Sequence, residues 1–471
     1  MSEMVLFRNL RARVVRFAAT VVVGAAILAP GSTAQAQSPA PEALTLPQAV
    51  HFALGKNPGV QAALAYSQAV HEGIAEAKSG RLPRVDFSES FTRGNNPVYV
   101  FGGLLTERQF NAGDFALNFL NTPPPLDIFR TQFSAGMPLY DAGQTGRRIK
   151  DARISAQAAS QTAERTRQEI IFNVIKAYTD ELLAQESVEV AASALKSAEA
   201  DLARAQARQE QGQGVPSDLL SAQVYAAQTK QDLLQARNAV ELARAALNVA
   251  MGAPEDAATT IQPGLKETPY DVGSLADRQQ RSLAARPDLR AAGLGVERAT
   301  NGSRMARAEF LPKLNAFGSW EEDNEAFLTR GGNNWTAGVS LNFNILDGGA
   351  NRARLLAANY RKTQAQAEAA QMAANVRLQV REAYLNLTTA QQRVDVARQA
   401  QSEAEESLRI VQNRYEEGLA TITDLLRVET ARTDARKNYL NALADHRLGY
   451  AALELATGEL AENSPAVSSE Q

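Results

Sequence analysis

The chain has 471 residues, enough for about three domains on the usual length prior, and its 49 Lys and Arg nearly balance 52 Asp and Glu at a net charge of −3. That balance argues against nucleic acid as a partner, since polyanion binding draws on excess basic charge. With no cysteine and only His51, His71 and His446, none of them three or four residues from another, the sequence offers no thiol chemistry, disulfide or helical metal pair. No cofactor, metal site or catalytic residue is expected.

At the N-terminus Arg8, Arg11, Arg13 and Arg16 precede an apolar stretch from Phe17 to Ala29, followed by Ala34-Gln35-Ala36. This is the pattern of an export signal with a small-x-small cleavage site, and its apolar part falls short of the roughly 20 residues of a spanning helix. Residues 1–36 are therefore expected to be a signal peptide, with Gln37 as the mature start. Its removal takes away four Arg and one Glu, leaving −6.

The remainder is a tandem repeat. Slid by 229, Leu46, Leu54, Pro58, Ala62, Leu82 and Pro83 fall on Leu275, Leu283, Pro287, Ala291, Leu311 and Pro312. Slid by 206, Asp141, Gly143, Val174, Tyr178, Gly212, Asp218, Leu219 and Gly252 fall on Asp347, Gly349, Val380, Tyr384, Gly418, Asp424, Leu425 and Gly458. Paired Pro, Gly and Asp at a fixed offset mark one unit used twice. The 23-residue difference is an insertion in the first copy between Pro83 and Asp141.

Each unit reads as helix, strand, loop, strand, long helix, turn, helix. The first helix opens at Asn57-Pro58, and at Pro287-Asp288 in the second copy, and closes at Leu82-Pro83 and Leu311-Pro312. Period-two patterning places strands at about 84–92 and 131–140, then at about 313–321 and 334–346, each with one apolar and one polar face. Asp141-Ala142-Gly143 and Asp347-Gly348-Gly349 supply a carboxylate cap and permissive glycines where strand becomes helix. Proline-free helices are expected over about 144–211 and 350–417, each about 100 Å long. They end at Gly212 and Gly418, and the chain doubles back through tips 212–218 and 418–424, where Ser217 or Thr421 is placed to cap the returning helices 219–251 and 425–457. The first structural repeat thus covers 37–252 and the second 281–458. A linker or equatorial segment, 253–280, separates them, and 459–471 is a C-terminal tail.

Four amphipathic strands per chain are too few to close even an eight-stranded barrel. Open edges cannot persist in hydrocarbon, so several chains must contribute strands; three would give twelve. Segment 92–130, which holds the insertion, is expected to be the larger extracellular loop.

At this level of detail the sequence resembles the TolC-type outer-membrane efflux protein family. The resemblance rests on Arg286-Pro287-Asp288-Leu289-Arg290-Ala291-Ala292 with Ala308-Glu309-Phe310-Leu311-Pro312, on the Asp-x-Gly strand exits, and on Arg414-Tyr415-Glu416-Glu417-Gly418 running to Thr423-Asp424-Leu425-Leu426. It covers roughly residues 44–460. It implies an α+β membrane protein with an internal tandem repeat. Its long α-helical hairpins would form a trimeric periplasmic α-barrel continuous with a 12-stranded transmembrane β-barrel. The function implied is an outer-membrane exit duct of a tripartite efflux or type I secretion system. The partners would be two further copies of the chain, a periplasmic adaptor, an inner-membrane pump and outer-membrane lipid.

By the same resemblance the helical turns would meet the adaptor and close the tunnel. The contact residues would be Gly212, Val215, Ser217, Gly418, Leu419, Thr421 and Thr423, and the periplasmic gate would comprise Asp218, Tyr415, Asp424 and Arg427. Members that lock the tip with a basic residue carry it where this chain has Ala420, and Arg427 stands where some members have a second acid. An ordinary helix-starting role for Asp218 and Asp424 competes with the gate reading. The three histidines read as surface or packing residues. An exported coiled-coil rod or adhesin shares the long helices but not the paired strands.

Overall fold

The computed structural model describes residues 43–327 and 331–468. The expected signal peptide lies outside them, as do residues 469–471 of the expected tail. The first copy comprises α1 (Leu46–Lys56), α2 (Pro58–Ser79), β1 (Arg84–Gly94), α3 (Pro97–Thr106), α4 (Leu117–Asn121), β2 (Leu126–Tyr140), α5 (Gln144–Glu210) and α6 (Pro216–Met251). The second comprises α7 (Leu275–Ala285), α8 (Pro287–Ala308), β3 (Lys313–Asn324), β4 (Gly332–Asn342), α9 (Ala350–Glu416) and α10 (Ile422–Thr457), with a short α11 (Pro465–Ser468) after it.

Two helices open each copy where one is expected from the sequence. Asn57 and Arg286 divide them, both extended at ψ 124°, because Pro58 and Pro287 disfavour the helical conformation in the residue before them. Helix α7 begins inside the expected linker, started by Ser274, whose Oγ accepts the Asp277 N–H at 3.1 Å. The stretch 92–130 is not one loop. Asn96 Oδ1 accepts the Val98 and Tyr99 N–H groups at 3.0 and 3.3 Å, Pro97 fits the first helical position, and α3 follows.

The four strands form one antiparallel sheet in the order β1-β2-β3-β4. Strand β2 starts five residues before the expected 131, so that Leu126 pairs with Gly94 and Ile128 with Thr92. Strand β4 ends at Asn342, short of the expected 346. Lys313, directly after Pro312, pairs with Asn342 and ends the ladder, so residues 343–346 have no strand partner among the described residues. At both strand exits the Asp carboxylate does what the sequence suggests: Asp141 accepts from the Gly143 and Thr145 N–H groups at 2.9 and 2.5 Å, and Asp347 from Gly349 and Asn351 at 3.0 and 2.7 Å.

Helices α5 and α9 have 67 residues each and α6 and α10 have 36. Their shared core lies partway along them, where Val174, Ile175, Tyr178 and Leu182 of α5 meet Leu247 of α6, Val380 and Leu387 of α9, and Tyr450 and Leu453 of α10, with Leu46 and Val50 of α1 closing one side. Each fully buried Leu or Ile here contributes about 1.5–3 kcal/mol. His446 packs in this band, buried with its ring 5.2 Å from Tyr270, and burial pushes its pKa down. Outside the core, large apolar residues stay exposed along α6 (Leu220, Val224, Leu234, Leu242, Val249) and α9 (Tyr360, Leu378, Leu385, Val396).

Candidate functional site at the helical turns

Both long helices end in the same way. The N–H of Gly212 bonds to Gln209 O and that of Gln213 to Arg208 O, at 3.0 and 2.9 Å; Gly418 and Leu419 repeat this with Tyr415 O and Arg414 O, at 3.1 and 2.7 Å. This double closure needs a left-handed residue, supplied by Gly212 at φ 72° and Gly418 at φ 79°. Val215, Ser217, Leu419, Thr421 and Thr423 are exposed around the two glycines, so all seven expected contact residues lie at the surface of the turns.

The returning helices start differently. Thr421 caps α10 in a reciprocal box: its Oγ1 accepts the Asp424 N–H at 3.2 Å, and Asp424 accepts the Thr421 N–H at 3.3 Å. Ser217, expected to cap the returning helix of the first copy, does not do so. Pro216 takes the first helical position of α6, which leaves Val215 at the cap with no side-chain oxygen to offer.

Tyr415 is 4% exposed and packs with Leu408, Ile422, Leu425 and Val428. The guanidinium of Arg208, from the last turn of α5, stands 4.4 Å from the centre of its ring. One nitrogen of that group donates to Tyr415 O at 2.8 Å and to Glu416 O at 3.3 Å. A cation thus gives Tyr415 O a second donor beside the Gly418 N–H, reaches Glu416 O at the end of α9, and joins one hairpin to the other. Burial pushes the Tyr415 phenol pKa up; Arg208 opposes this, while the negative charges of Asp201 and Asp218 reinforce it. Asp218 sits half-buried in the first turn of α6, its N–H on Val215 O at 3.0 Å.

Asp424 keeps its charge through Thr421, whose hydroxyl and N–H hold the carboxyl pKa below its ordinary value. Arg427, with its side chain 76% exposed, lies 3.8 Å from Asp424 on the same helix. The four expected gate residues therefore divide into two pairs: Tyr415 with the field of Asp218, and Asp424 with Arg427. Neither Ala420 nor Arg427 supplies the cation at Tyr415; Arg208 does.

A second cluster, also unforeseen, lies further along α5. Asp201 is 1% exposed and pairs with Arg204, and Glu429 of α10 is 4% exposed with Oε2 unpartnered. Burial raises both carboxyl pKa values, and Asp201 adds to the effect on Glu429. The signal available in the sequence was the spacing of Asp201, Arg204 and Arg208 by three and four residues, which puts them on one face of the helix. Among the described residues no group of His, Asp and Glu is placed to hold a metal ion.

Comparison with known proteins gives this architecture its place. The sequence profile described as outer membrane efflux protein matches residues 49–253 and 279–459, one stretch in each copy. The alkaline protease secretion protein AprF of Pseudomonas aeruginosa is 24% identical over 430 residues, covering 89% of this chain and 85% of its own. Among solved structures, the CmeC outer membrane channel of Campylobacter jejuni superposes with a TM-score of 0.75 at 17% identity, covering 89% of this chain and 87% of its own. The outer membrane protein VceC of Vibrio cholerae does so with 0.72 at 21% identity, covering 88% and 96%. The chain belongs to the outer membrane efflux protein family.

Proposed function

We propose that three copies of this chain close a 12-stranded barrel in the outer membrane and continue as a helical tunnel into the periplasm. The protein is an outer-membrane exit duct of the kind used in tripartite efflux and type I secretion. The observation that carries the trimer is the sheet, which has four strands and two unpaired edges, β1 and β4.

Across that sheet Phe87, Phe133, Trp320 and Trp335 stand in register as one row of aromatic residues. Below them on the same face come Val85, Ala135 and Ala337, then Met137, Ala316 and Val339, then Leu314 and Leu341. Above them lies the polar row Glu89, Thr131, Glu322 and Asn333. The opposite face presents Ser88, Gln132, Ser134, Ser319, Thr336 and Ser340, with Phe317 among them and Leu126 and Ile128 at its far end. An apolar band edged by an aromatic row, backed by a polar face, is what a strand meets between lipid and a watery lumen. Pairing β4 of one copy with β1 of the next removes every edge. A structural rod leaves this sheet without a role.

The same assembly would cover the exposed apolar faces of α6 and α9. At the periplasmic end the turns around Gly212 and Gly418 are the docking surface for an adaptor that brings an inner-membrane pump. Asp218, Tyr415, Asp424 and Arg427, with Arg208, form the closing contacts. Native mass measurement in detergent should return three chains. A stable monomer whose strands are inserted in the membrane would refute the closure.

A further inference from the structure

The segment between β1 and β2 does not stand away from the sheet. It crosses from the end of β1 to the start of β4. Tyr99 Oη donates to Thr92 O of β1 at 2.8 Å; Val100 packs on Leu126 and Ile128 of β2; Asn334 Nδ2 of β4 donates to Thr106 O at 3.2 Å, and Arg108 donates to Asn333 O at 2.7 Å. Leu126, Ile128 and Asn334 all belong to the face opposite the aromatic row, so the strap lies on the lumen side. Its seat is tightly fitted at two glycines. A Cβ on Gly103 would come within 2.6 Å of Ile128 and Leu126, and one on Gly332 within 1.8 Å of Thr106 O.

Glu107, at the end of α3, is enclosed by this seat. It is 3% exposed, and among the described residues neither carboxyl oxygen has a hydrogen-bond partner. The cations on this side are committed elsewhere. Arg130 of β2 grips Asp323 with two bonds of 2.7 and 3.2 Å and Arg108 donates to Asn333 of β4, while Arg93 of β1 stands on the aromatic-row face, paired with Asp127 at 3.2 Å. Tyr99 of α3 also lies within its field. The charges that act on Glu107 most are Glu325 and Asp323, both negative.

We propose that residues 97–121 form an inward-folded lid over the outer mouth of the duct, latched by the uncharged carboxyl of Glu107 and released when that carboxyl ionises. The lid rests on the barrel reading above, which sets this face toward the lumen. A buried, unpaired carboxylate facing two like charges is costly, whereas the neutral acid is tolerated. Burial first, then Glu325 and Asp323, push the seated Glu107 up to about 7 from an ordinary 4.5. Between those values the seated lid holds a proton that the released lid gives up. The latch is therefore fully effective below about pH 4.5 and is lost as pH rises through about 7. From pH 5 to pH 8 the ratio of seated to released lid should fall at least about tenfold.

The absence of cysteine from the chain makes the test clean. Val100→Cys, beneath the lid, and Leu117→Cys, on its exposed surface, are labelled separately on intact cells with a membrane-impermeant thiosulfonate. The rate at Val100→Cys is divided by the rate at Leu117→Cys at each pH. This ratio should rise at least about tenfold from pH 5 to pH 8 and stay low at both when Glu107→Gln is added. A ratio that ignores pH, or one that rises equally with Glu107→Gln, overturns the latch. Where Glu107→Gln yields no trimer, Glu325→Gln serves instead: removing one repelling charge should move the midpoint to lower pH, and an unmoved midpoint overturns the proposal. Failure to label Leu117→Cys on intact cells would overturn the barrel orientation instead.

Discussion

Removing the guanidinium of Arg208 tests the proposed closure of the periplasmic end. In Arg208→Ala the carbonyls of Tyr415 and Glu416 lose their shared donor, and the Tyr415 ring loses the cation 4.4 Å from its centre. A hydrogen bond to a charged group contributes about 1.5–3 kcal/mol and a half-exposed cation–π contact about 0.5–1 kcal/mol. The bonds share one nitrogen, and water can replace part of what is lost, so the net cost is about 2 kcal/mol, or about thirtyfold in the balance between closed and parted hairpins. Planar-bilayer recordings should show a larger or more frequently open pore for Arg208→Ala. The thermal unfolding of the detergent-held protein should hardly move, because the main core around Tyr178 and Leu387 is a separate cluster. Tyr415→Phe keeps both the carbonyl and the ring and should do far less than Arg208→Ala. Equal conductance in Arg208→Ala and the parent, or a larger effect from Tyr415→Phe, would refute this account of the closure.

Two other outcomes follow from local chemistry. Ala142 occupies the left-handed region at φ 56°, where the second copy has Gly348 at φ 64°; Ala142→Gly should stabilise by up to about 1 kcal/mol and Gly348→Ala should cost about as much, read as opposite shifts in thermal unfolding. Glu429→Gln should stabilise the packing of α10 against α5 at pH 8 but not in acid, because burial and Asp201 raise the folded pKa of Glu429 and its ionisation therefore costs stability as pH rises through that value. Amide exchange in α10 that responds equally at both pH values would contradict this.

The elements legible in the sequence are those that carry their own punctuation. Pro83 and Pro312 precede strands, Asp141 and Asp347 precede long helices, and Gly212 and Gly418 end them; at each place the local residue decides the backbone without help from distant parts. The lid was legible only at its start, where Asn96-Pro97 opens α3; Val100 and Leu105 alternate with nothing, and the helix is seated by packing on Leu126 and Ile128 across the loop. The same holds for β2, whose first residues pair with the end of β1 only once the segment folds back. At the turns, Ser217 and Thr421 both offer a hydroxyl, yet the offset of 206 sets Thr421 on Val215, and the two helices start at matching residues, Pro216 and Ile422, so only the second copy has a capping side chain. Arg208 was hidden by its surroundings. In a helix rich in Glu, Gln and Arg, any basic residue reads as a solvated face, and its contact lies 207 residues away in Tyr415.

On the two proposals above, the ends of the duct close by unlike chemistry, and this bears on what can open each. A guanidinium is charged across the physiological pH range, and the acceptors of Arg208 are backbone carbonyls with no charge to lose. Acidification or neutralisation therefore leaves the contact at Tyr415 itself intact, and this part of the cost of parting the hairpins falls when another acceptor takes the guanidinium as they separate. Arg208 is partly exposed beside the turns that carry Gly212 and Gly418, within reach of any protein that docks on them. An adaptor presenting a carboxylate there would replace two neutral acceptors by a charged one and so bind the parted state more tightly than the closed one, which is the only way a partner shifts such an equilibrium. The inner end is in this way suited to respond to a partner, while the outer mouth, held by a carboxyl with no partner, is suited to respond to the medium outside the cell.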